Sequence, residues 1–179
     1  MIDSHIFWFC GLSGVGKTTI ANGTKNLLDR EKVSNYVIDG DEIRSSQHKL
    51  LSFSEKDIKK NNELIAKLCM GKMAEHQVIL VPIISPYNYS RKLAKDLLQE
   101  SFNLIFLKAG INKLIERDTK GLYKSAIEGK IDNVIGFSKS NIFEEPRNPD
   151  LEIDTEKEKI DESINKLFDF ILKKISGIK

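Results

Sequence analysis

The sequence predicts an α/β fold in which helices cover both faces of a five-stranded parallel sheet. Short apolar runs alternate with longer stretches of helical periodicity, which is typical of repeated strand–helix–strand units. Runs that are apolar at every position suit strands covered on both faces. The predicted strands are Ile6–Cys10, Tyr36–Ile38, Val78–Ile84, Leu104–Leu107 and Leu151–Ile153.

The helices between these strands have recognisable starts. Ser54 followed by Asp57 fits a capping box, in which a hydroxyl and a carboxylate satisfy backbone N–H groups of the first turn. A last helix is predicted over Glu156–Ile175, with an apolar stripe that we expect to cover the sheet. The remaining helices are predicted to begin near Lys17, Ser90 and Ile111.

Length and composition narrow the possible classes of protein. The 179 residues suit one domain over 1–179, and a net charge of +2 gives no field strong enough to argue for nucleic acid or a membrane as a partner, so neither is expected. Two cysteines are too few for a disulfide scaffold or a zinc site. The apolar runs are too short to span a bilayer and no targeting segment is visible, so a cytoplasmic location is expected.

Residues 11–18 fit the phosphate-binding pattern G-x-x-x-x-G-K-[ST], placed as it requires between a strand and a helix. Backbone N–H groups of such a loop surround phosphate oxygens, Lys17 can reach the β- and γ-phosphates, and the Thr18 hydroxyl can coordinate Mg²⁺. A dinucleotide-binding fingerprint fails, because Thr19 stands where its third glycine belongs. The candidate ATP-binding residues in this P-loop are Gly11, Leu12, Ser13, Gly14, Val15, Gly16, Lys17, Thr18 and Thr19.

A second charged cluster favours a kinase over other P-loop proteins. Asp39, Asp41 and Arg44 follow the predicted second strand, whose carboxyl end faces the ligand crevice of an open parallel sheet. One carboxylate can support Mg²⁺, the other can accept a hydroxyl proton, and the arginine can hold an acceptor phosphate. A GTPase would need an Asn/Thr-Lys-x-Asp motif, which the sequence lacks.

Several motifs in order over about Phe7 to Thr155 resemble those of the adenylylsulfate (APS) kinases. The P-loop and the Asp39–Arg44 cluster resemble the family's, and residues 117–124, Arg-Asp-Thr-Lys-Gly-Leu-Tyr-Lys, are similar to its lid. The other matching segments are 53–61, Ile84–Tyr87 with Arg91, 129–131 and 143–149.

The resemblance implies a three-layer P-loop nucleotide-kinase fold with a lid, and transfer of the γ-phosphate of ATP to the ribose 3′-hydroxyl of a nucleotide. It implies that Asp41 is the base or hydroxyl-orienting group and that Asp39 supports Mg²⁺, with Lys17 and Lys120 also catalytic. Arg117 would bind ATP and close the lid with Lys120. The implied acceptor-binding residues are Asp41, Arg44, Phe53, Ile58, Asn61, Ile84, Ser85, Lys120 and Val134, with Ser85 in a positioning role. The family's frequent pairing also makes a homodimer possible.

Two departures from the family pattern fall on the acceptor side. Ile58 replaces an arginine, and Val134 replaces a phenylalanine that pairs with the aromatic corresponding to Phe53 around adenine. Stacking on a base contributes about 1–3 kcal/mol, and a charged hydrogen bond about 1.5–3 kcal/mol. The sequence therefore favours another acceptor, for which cytidine diphosphoramidate of capsule biosynthesis is the named candidate.

Two alternatives stay open. In the first, the chain is a genuine APS kinase in which a neighbour such as Phe137 compensates for the changes. In the second, it is a nucleotide-binding module without turnover, although Lys17 and Asp41, the residues such a module would be expected to lose, are both present.

Overall fold

The computed structural model of the chain describes residues 3–38, 54–138 and 141–177. They contain a parallel sheet of five strands in the order β2-β3-β1-β4-β5. The predicted α/β architecture with a five-stranded parallel sheet is confirmed. The strands are β1 His5–Cys10, β2 Asn35–Val37, β3 Val78–Val81, β4 Phe102–Lys108 and β5 Leu151–Asp154.

Helices lie on both faces of the sheet because alternate residues of β1 point in opposite directions. Phe7 and Phe9 pack with residues of the first and last helices, whereas Ile6, Trp8 and Cys10 pack with residues of two central helices. The two apolar cores on either side of the sheet make the three-layer arrangement. The described helices are α1 Lys17–Arg30, α2 Glu55–Lys72, α3 Asn88–Leu98, α4 Ile111–Arg117, α5 Leu122–Ile127 and α6 Ile160–Ile175, with a 3₁₀ turn at Gln99–Ser101.

Helix starts agree with the sequence signals where a side chain caps the first turn. The Ser54 hydroxyl accepts a hydrogen bond from the Asp57 N–H at 3.2 Å, as the capping pattern predicts. The apolar stripe of α6 covers the core through Leu167 and Ile171, both fully buried, while Ile160 at its start is exposed. Within the described ranges, no helix is long and apolar enough to cross a membrane.

The largest differences from the predictions are two boundaries and one helix. Strand β3 ends at Val81 and not at Ile84, because Pro82 has no N–H with which to extend the ladder. The last helix begins at Ile160 and not at Glu156, because the Asp154 carbonyl accepts from Lys157 and Glu158 in a turn after β5. The short helix α5 was not predicted, since its six residues are too few to show periodicity.

Candidate active site

The P-loop connects β1 to α1 in a conformation that needs glycine. Gly11, Gly14 and Gly16 have φ angles of 147°, 77° and 100°, in a region that other residues rarely adopt. A Cβ at Gly11 would stand 2.5 Å from the Leu107 carbonyl oxygen of β4, a backbone atom that cannot easily move. The Gly11 N–H donates to the Ile84 carbonyl at 3.1 Å, which ties the loop to the segment after β3.

Lys17 is the buried cation of this loop. It is only 8% exposed, and its Nζ donates to the carbonyl oxygens of Gly11 at 2.9 Å and Leu12 at 2.7 Å. The ammonium group therefore lies across the loop, where phosphates would bind. Thr18 and Thr19 are exposed in the first turn of α1, so their hydroxyl groups are accessible to a bound nucleotide and its ion.

The lid segment is held at both ends by polar contacts. The Arg117 guanidinium donates to the Thr155 carbonyl at 2.6 Å and to its hydroxyl at 3.4 Å, which links the end of α4 to the residue after β5. Lys120 is exposed in the turn between α4 and α5. The Asp118 carboxylate accepts hydrogen bonds from the N–H groups of Tyr123 and Lys124. These bonds lower the pKa of Asp118, and the bond from Lys124 has the larger effect.

Ser85 has a strained backbone, and its side-chain hydroxyl makes two buried hydrogen bonds. Its φ of 42° is unusual for a serine, and such strain typically costs about 1–3 kcal/mol. The buried hydroxyl accepts from Trp8 Nε1 at 3.0 Å and donates to Asn62 Oδ1 at 2.7 Å. The hydroxyl of Ser85 is thus engaged in two buried hydrogen bonds. This suits a positioning role and not that of a nucleophile.

Asn61 lies beside this network on α2. It is 4% exposed, and among the residues described its Oδ1 has no hydrogen-bond partner. Buried amide oxygens are nearly always hydrogen-bonded in proteins, so this atom is a candidate to accept a bond from a bound acceptor.

Both departures from the family pattern are buried in apolar packing. Ile58, 3% exposed, packs in one cluster with Tyr87 and Ile135, against which the half-buried Ile84 also lies. Val134, also 3% exposed, belongs to the main core. Both side chains are therefore held in apolar packing.

Phe137 is the accessible aromatic of the segment after Val134. It is 37% exposed, and its ring stands edge-on to Tyr123 at 6.0 Å between centroids. The segment after Val134 therefore contains an accessible aromatic ring. The alternative of a genuine APS kinase requires such a ring to compensate for the change at Val134.

Four predicted site residues lie outside the described residues: Asp39, Asp41, Arg44 and Phe53. Ile38, which precedes them, is buried, and its N–H donates to the Leu80 carbonyl at 2.8 Å. The chain therefore leaves β2 at the carboxyl ends of the strands, the same end of the sheet at which the P-loop follows β1. Over the ranges that the structure does cover, no group of three or more His, Cys, Asp or Glu residues could hold a metal ion.

The sequence assigned no role to Arg91, which holds the acceptor side together. Its guanidinium is 4% exposed and donates to the carbonyls of Ser85 and Glu144 and to Asn88 Oδ1. Burial lowers the pKa of Arg91. The sequence shows that Arg91 belongs to a segment that resembles the family. It cannot show the three hydrogen-bond partners, because the fold brings them together.

Comparisons with known proteins agree with this geometry. A family model described as adenylylsulphate kinase matches residues 3–154. The chain belongs to the adenylylsulphate kinase family. The adenylyl-sulfate kinase of Prochlorococcus marinus is 37% identical over 165 residues, which cover 92% of this chain and 81% of that protein.

Among solved structures, the Mycobacterium tuberculosis APS kinase in complex with AMPPNP and APS superposes with a TM-score of 0.87 at 30% identity, covering 97% of this chain and 99% of that one. The bifunctional enzyme NodQ of Rhizobium meliloti is 37% identical over 151 residues, but the chain spans only 23% of its length. As a member of the APS kinase family, the chain is an ATP-dependent phosphotransferase with a hydroxyl acceptor, and the P-loop is its expected donor site.

Proposed function

We propose that this chain is an adenylyl-sulfate kinase, which transfers the γ-phosphate of ATP to the 3′-hydroxyl of APS. The observation that carries the proposal is the fit, over nearly the whole of both chains, to an APS kinase whose structure holds AMPPNP and APS. Curated adenylyl-sulfate kinases at about one-third identity support the same acceptor.

The donor half of the reaction follows from the P-loop. Its N–H groups and Lys17 would hold the β- and γ-phosphates and stabilise charge that spreads over the transferred group. A magnesium ion would neutralise phosphate charge when bound, and the Thr18 hydroxyl, exposed beside Lys17, fits as one of its ligands. Asp39 is the proposed second support for the ion, directly or through water.

The acceptor half rests on groups from three segments. We propose that Asp41 orients or deprotonates the attacking hydroxyl, and that Arg44, Asn61 and Phe53 bind the acceptor. Ser85 would act indirectly, because its hydroxyl fixes the amide of Asn62 next to Asn61. Arg117 and Lys120 would then close the lid and exclude water that could hydrolyse ATP.

Cytidine diphosphoramidate, the acceptor that the sequence alone favoured, has no support in the comparisons, which favour the APS alternative. Ile58 and Val134 are also buried in apolar packing, so neither change supplies a polar group that would recognise a different acceptor. We accordingly propose APS as the acceptor.

An acceptor assay tests the proposal. ADP release from ATP and Mg²⁺ would be measured with APS, with cytidine diphosphoramidate and with no acceptor, and the product would be identified by mass spectrometry. We expect saturable release with APS alone. Turnover with the cytidine compound alone would refute the proposed acceptor, and nucleotide binding without turnover of either compound would favour the non-catalytic module.

A variant tests the role of Asp41. We expect Asp41→Asn to lower kcat at least about 100-fold, in the range typical of a lost general base, while the affinity for ATP stays within about twofold. Near-normal kcat in this variant would contradict the assignment.

The remaining expectations extend the same proposal. The family match at residues 3–154 and the packing of α6 on α1 support one kinase domain over 1–179. A cytoplasmic location and a homodimer are proposed on the resemblance, and sedimentation of the purified protein would test the dimer.

A further inference from the structure

Tyr123 forms a bond between the lid and the P-loop that the proposed reaction does not itself require. Its side chain is 1% exposed, and its phenol donates to the carbonyl oxygen of Ser13 at 2.9 Å. The two residues are 110 positions apart, so this single bond joins helix α5 to the centre of the phosphate-binding loop.

The lid side of this bond is firmly placed. The Asp118 carboxylate accepts from the Tyr123 N–H at 3.1 Å and from the Lys124 N–H at 2.8 Å, so it satisfies two N–H groups of the first turn of α5. Phe137 supports the Tyr123 ring edge-on. Burial, and then the nearby Asp118 charge, raise the pKa of Tyr123 to about 12, so the phenol remains a hydrogen-bond donor at neutral pH.

On the loop side, the bond sets the direction of one peptide group. The carbonyl of Ser13 and the N–H of Gly14 belong to the same planar trans peptide and point in opposite directions. Because the carbonyl points at Tyr123, the Gly14 N–H points away from it. Within the described part of the chain this N–H has no hydrogen-bond acceptor, which leaves it available to a phosphate oxygen.

The Tyr123 ring also lies next to Gly14. A Cβ on Gly14 would meet Tyr123 Cε2 at 4.0 Å, which is ordinary contact, so the ring is close to the loop without pressing on it. A movement of α5 that displaced the ring would break the bond to Ser13 and release the Ser13–Gly14 peptide.

We propose that Tyr123 is a positioning residue for the phosphoryl donor: its phenol fixes the Ser13–Gly14 peptide so that the Gly14 N–H faces the phosphates of ATP. The lid is thereby coupled to the donor loop before any acceptor binds. This inference depends on ATP binding at the P-loop and not on the identity of the acceptor.

Tyr123→Phe removes the donor and keeps the ring. A neutral hydrogen bond of this kind corresponds to roughly a three- to tenfold change in an equilibrium constant. We expect calorimetry to show binding of ADP and of a non-hydrolysable ATP analogue weakened by that factor. In turnover, KM for ATP should rise by the same factor while KM for the acceptor stays within about twofold.

Two further variants separate positioning from general stability. Tyr36→Phe removes a phenol that stacks on His76, away from the P-loop, and should bind both nucleotides like the wild type. Replacing Tyr123 by 4-aminophenylalanine restores a donor at the same place and should recover most of the lost affinity.

Two results would overturn the proposal: unchanged nucleotide affinity in Tyr123→Phe, or a loss that the amino analogue fails to restore. If the wild-type protein did not use APS at all, the proposed function would fail, yet the nucleotide-binding measurements would still decide the role of Tyr123.

Discussion

Replacing Gly136 by alanine tests how closely the segment after Val134 packs on the P-loop. Gly136 has a φ of 77°, and a Cβ built on it would stand 2.3 Å from Leu12 Cδ2. Alanine in the left-handed region costs about 1–2 kcal/mol, and displacing the end of the Leu12 side chain adds about 1 kcal/mol, the lower end of the range for overpacking. Together these effects predict a loss of about 2–3 kcal/mol in the free energy of unfolding.

Gly129→Ala is a matched control that separates the two contributions. Gly129 has a similar φ of 70°, but a Cβ there would meet no atom within 4 Å. The Gly129→Ala variant should therefore lose only the free energy of placing alanine in the left-handed region, about 1–2 kcal/mol. The extra loss in Gly136→Ala measures the collision with Leu12, a residue of the P-loop, and should be accompanied by weaker ATP binding.

Urea denaturation of four proteins completes the experiment: the wild type, Gly136→Ala, Leu12→Ala and the double variant. Removing the Leu12 side chain leaves room for the new methyl group, so the double variant should be more stable than the sum of the single losses by about 1 kcal/mol or more. Equal losses in Gly129→Ala and Gly136→Ala, or strict additivity in the double variant, would refute the close contact between Gly136 and Leu12.

Three other substitutions test separate parts of the structure. Lys17→Ala should lower kcat by about 100-fold or more, the scale of one lost transition-state contact, in an ADP-release assay; a variant that is folded by circular dichroism and fully active would exclude the assigned role. Ile58→Arg should destabilise the protein by about 3 kcal/mol or more, because an unpaired charge would enter an apolar cluster, whereas Ile58→Met should cost less than about 1.5 kcal/mol; equal urea midpoints would show that the site is open to water. Gly23→Ala should destabilise despite a gain in helix propensity of about 1 kcal/mol, since its Cβ would stand 2.3 Å from Ile164 Cδ1; the same change made in an Ile164→Ala background should stabilise, and its failure to do so in urea titrations would contradict the packing of α6 on α1.

The sheet was predictable because its signal is local. In a parallel sheet covered on both faces, each strand is an apolar run that can be recognised without its neighbours, as in β1 and β4. The P-loop was predictable for the same reason, since its glycines, Lys17 and Thr18 are consecutive in the sequence. Boundaries were less predictable where a backbone turn decided them, as at Asp154 before α6.

The contacts that organise the site could not be predicted, since they join distant segments. The bond from Tyr123 to Ser13 spans 110 positions, and the bond from Trp8 to Ser85 spans 77. No periodicity or motif states which hydroxyl will meet which carbonyl. The positive φ of Ser85 was equally hidden, because serine carries no preference for that conformation.

The fold also changes the weight of the two departures from the family pattern. Taken from the sequence, Ile58 and Val134 are separate losses of binding energy, and adding them argued for another acceptor. In the structure Ile58 packs in an apolar cluster with Tyr87 and Ile135, and Ile135 follows Val134 in the chain. Effects of substitutions that share packing partners or a backbone segment are not strictly additive. The sum of two independent losses therefore overstates the case for another acceptor, and both changes are compatible with the acceptor that the family relatives indicate.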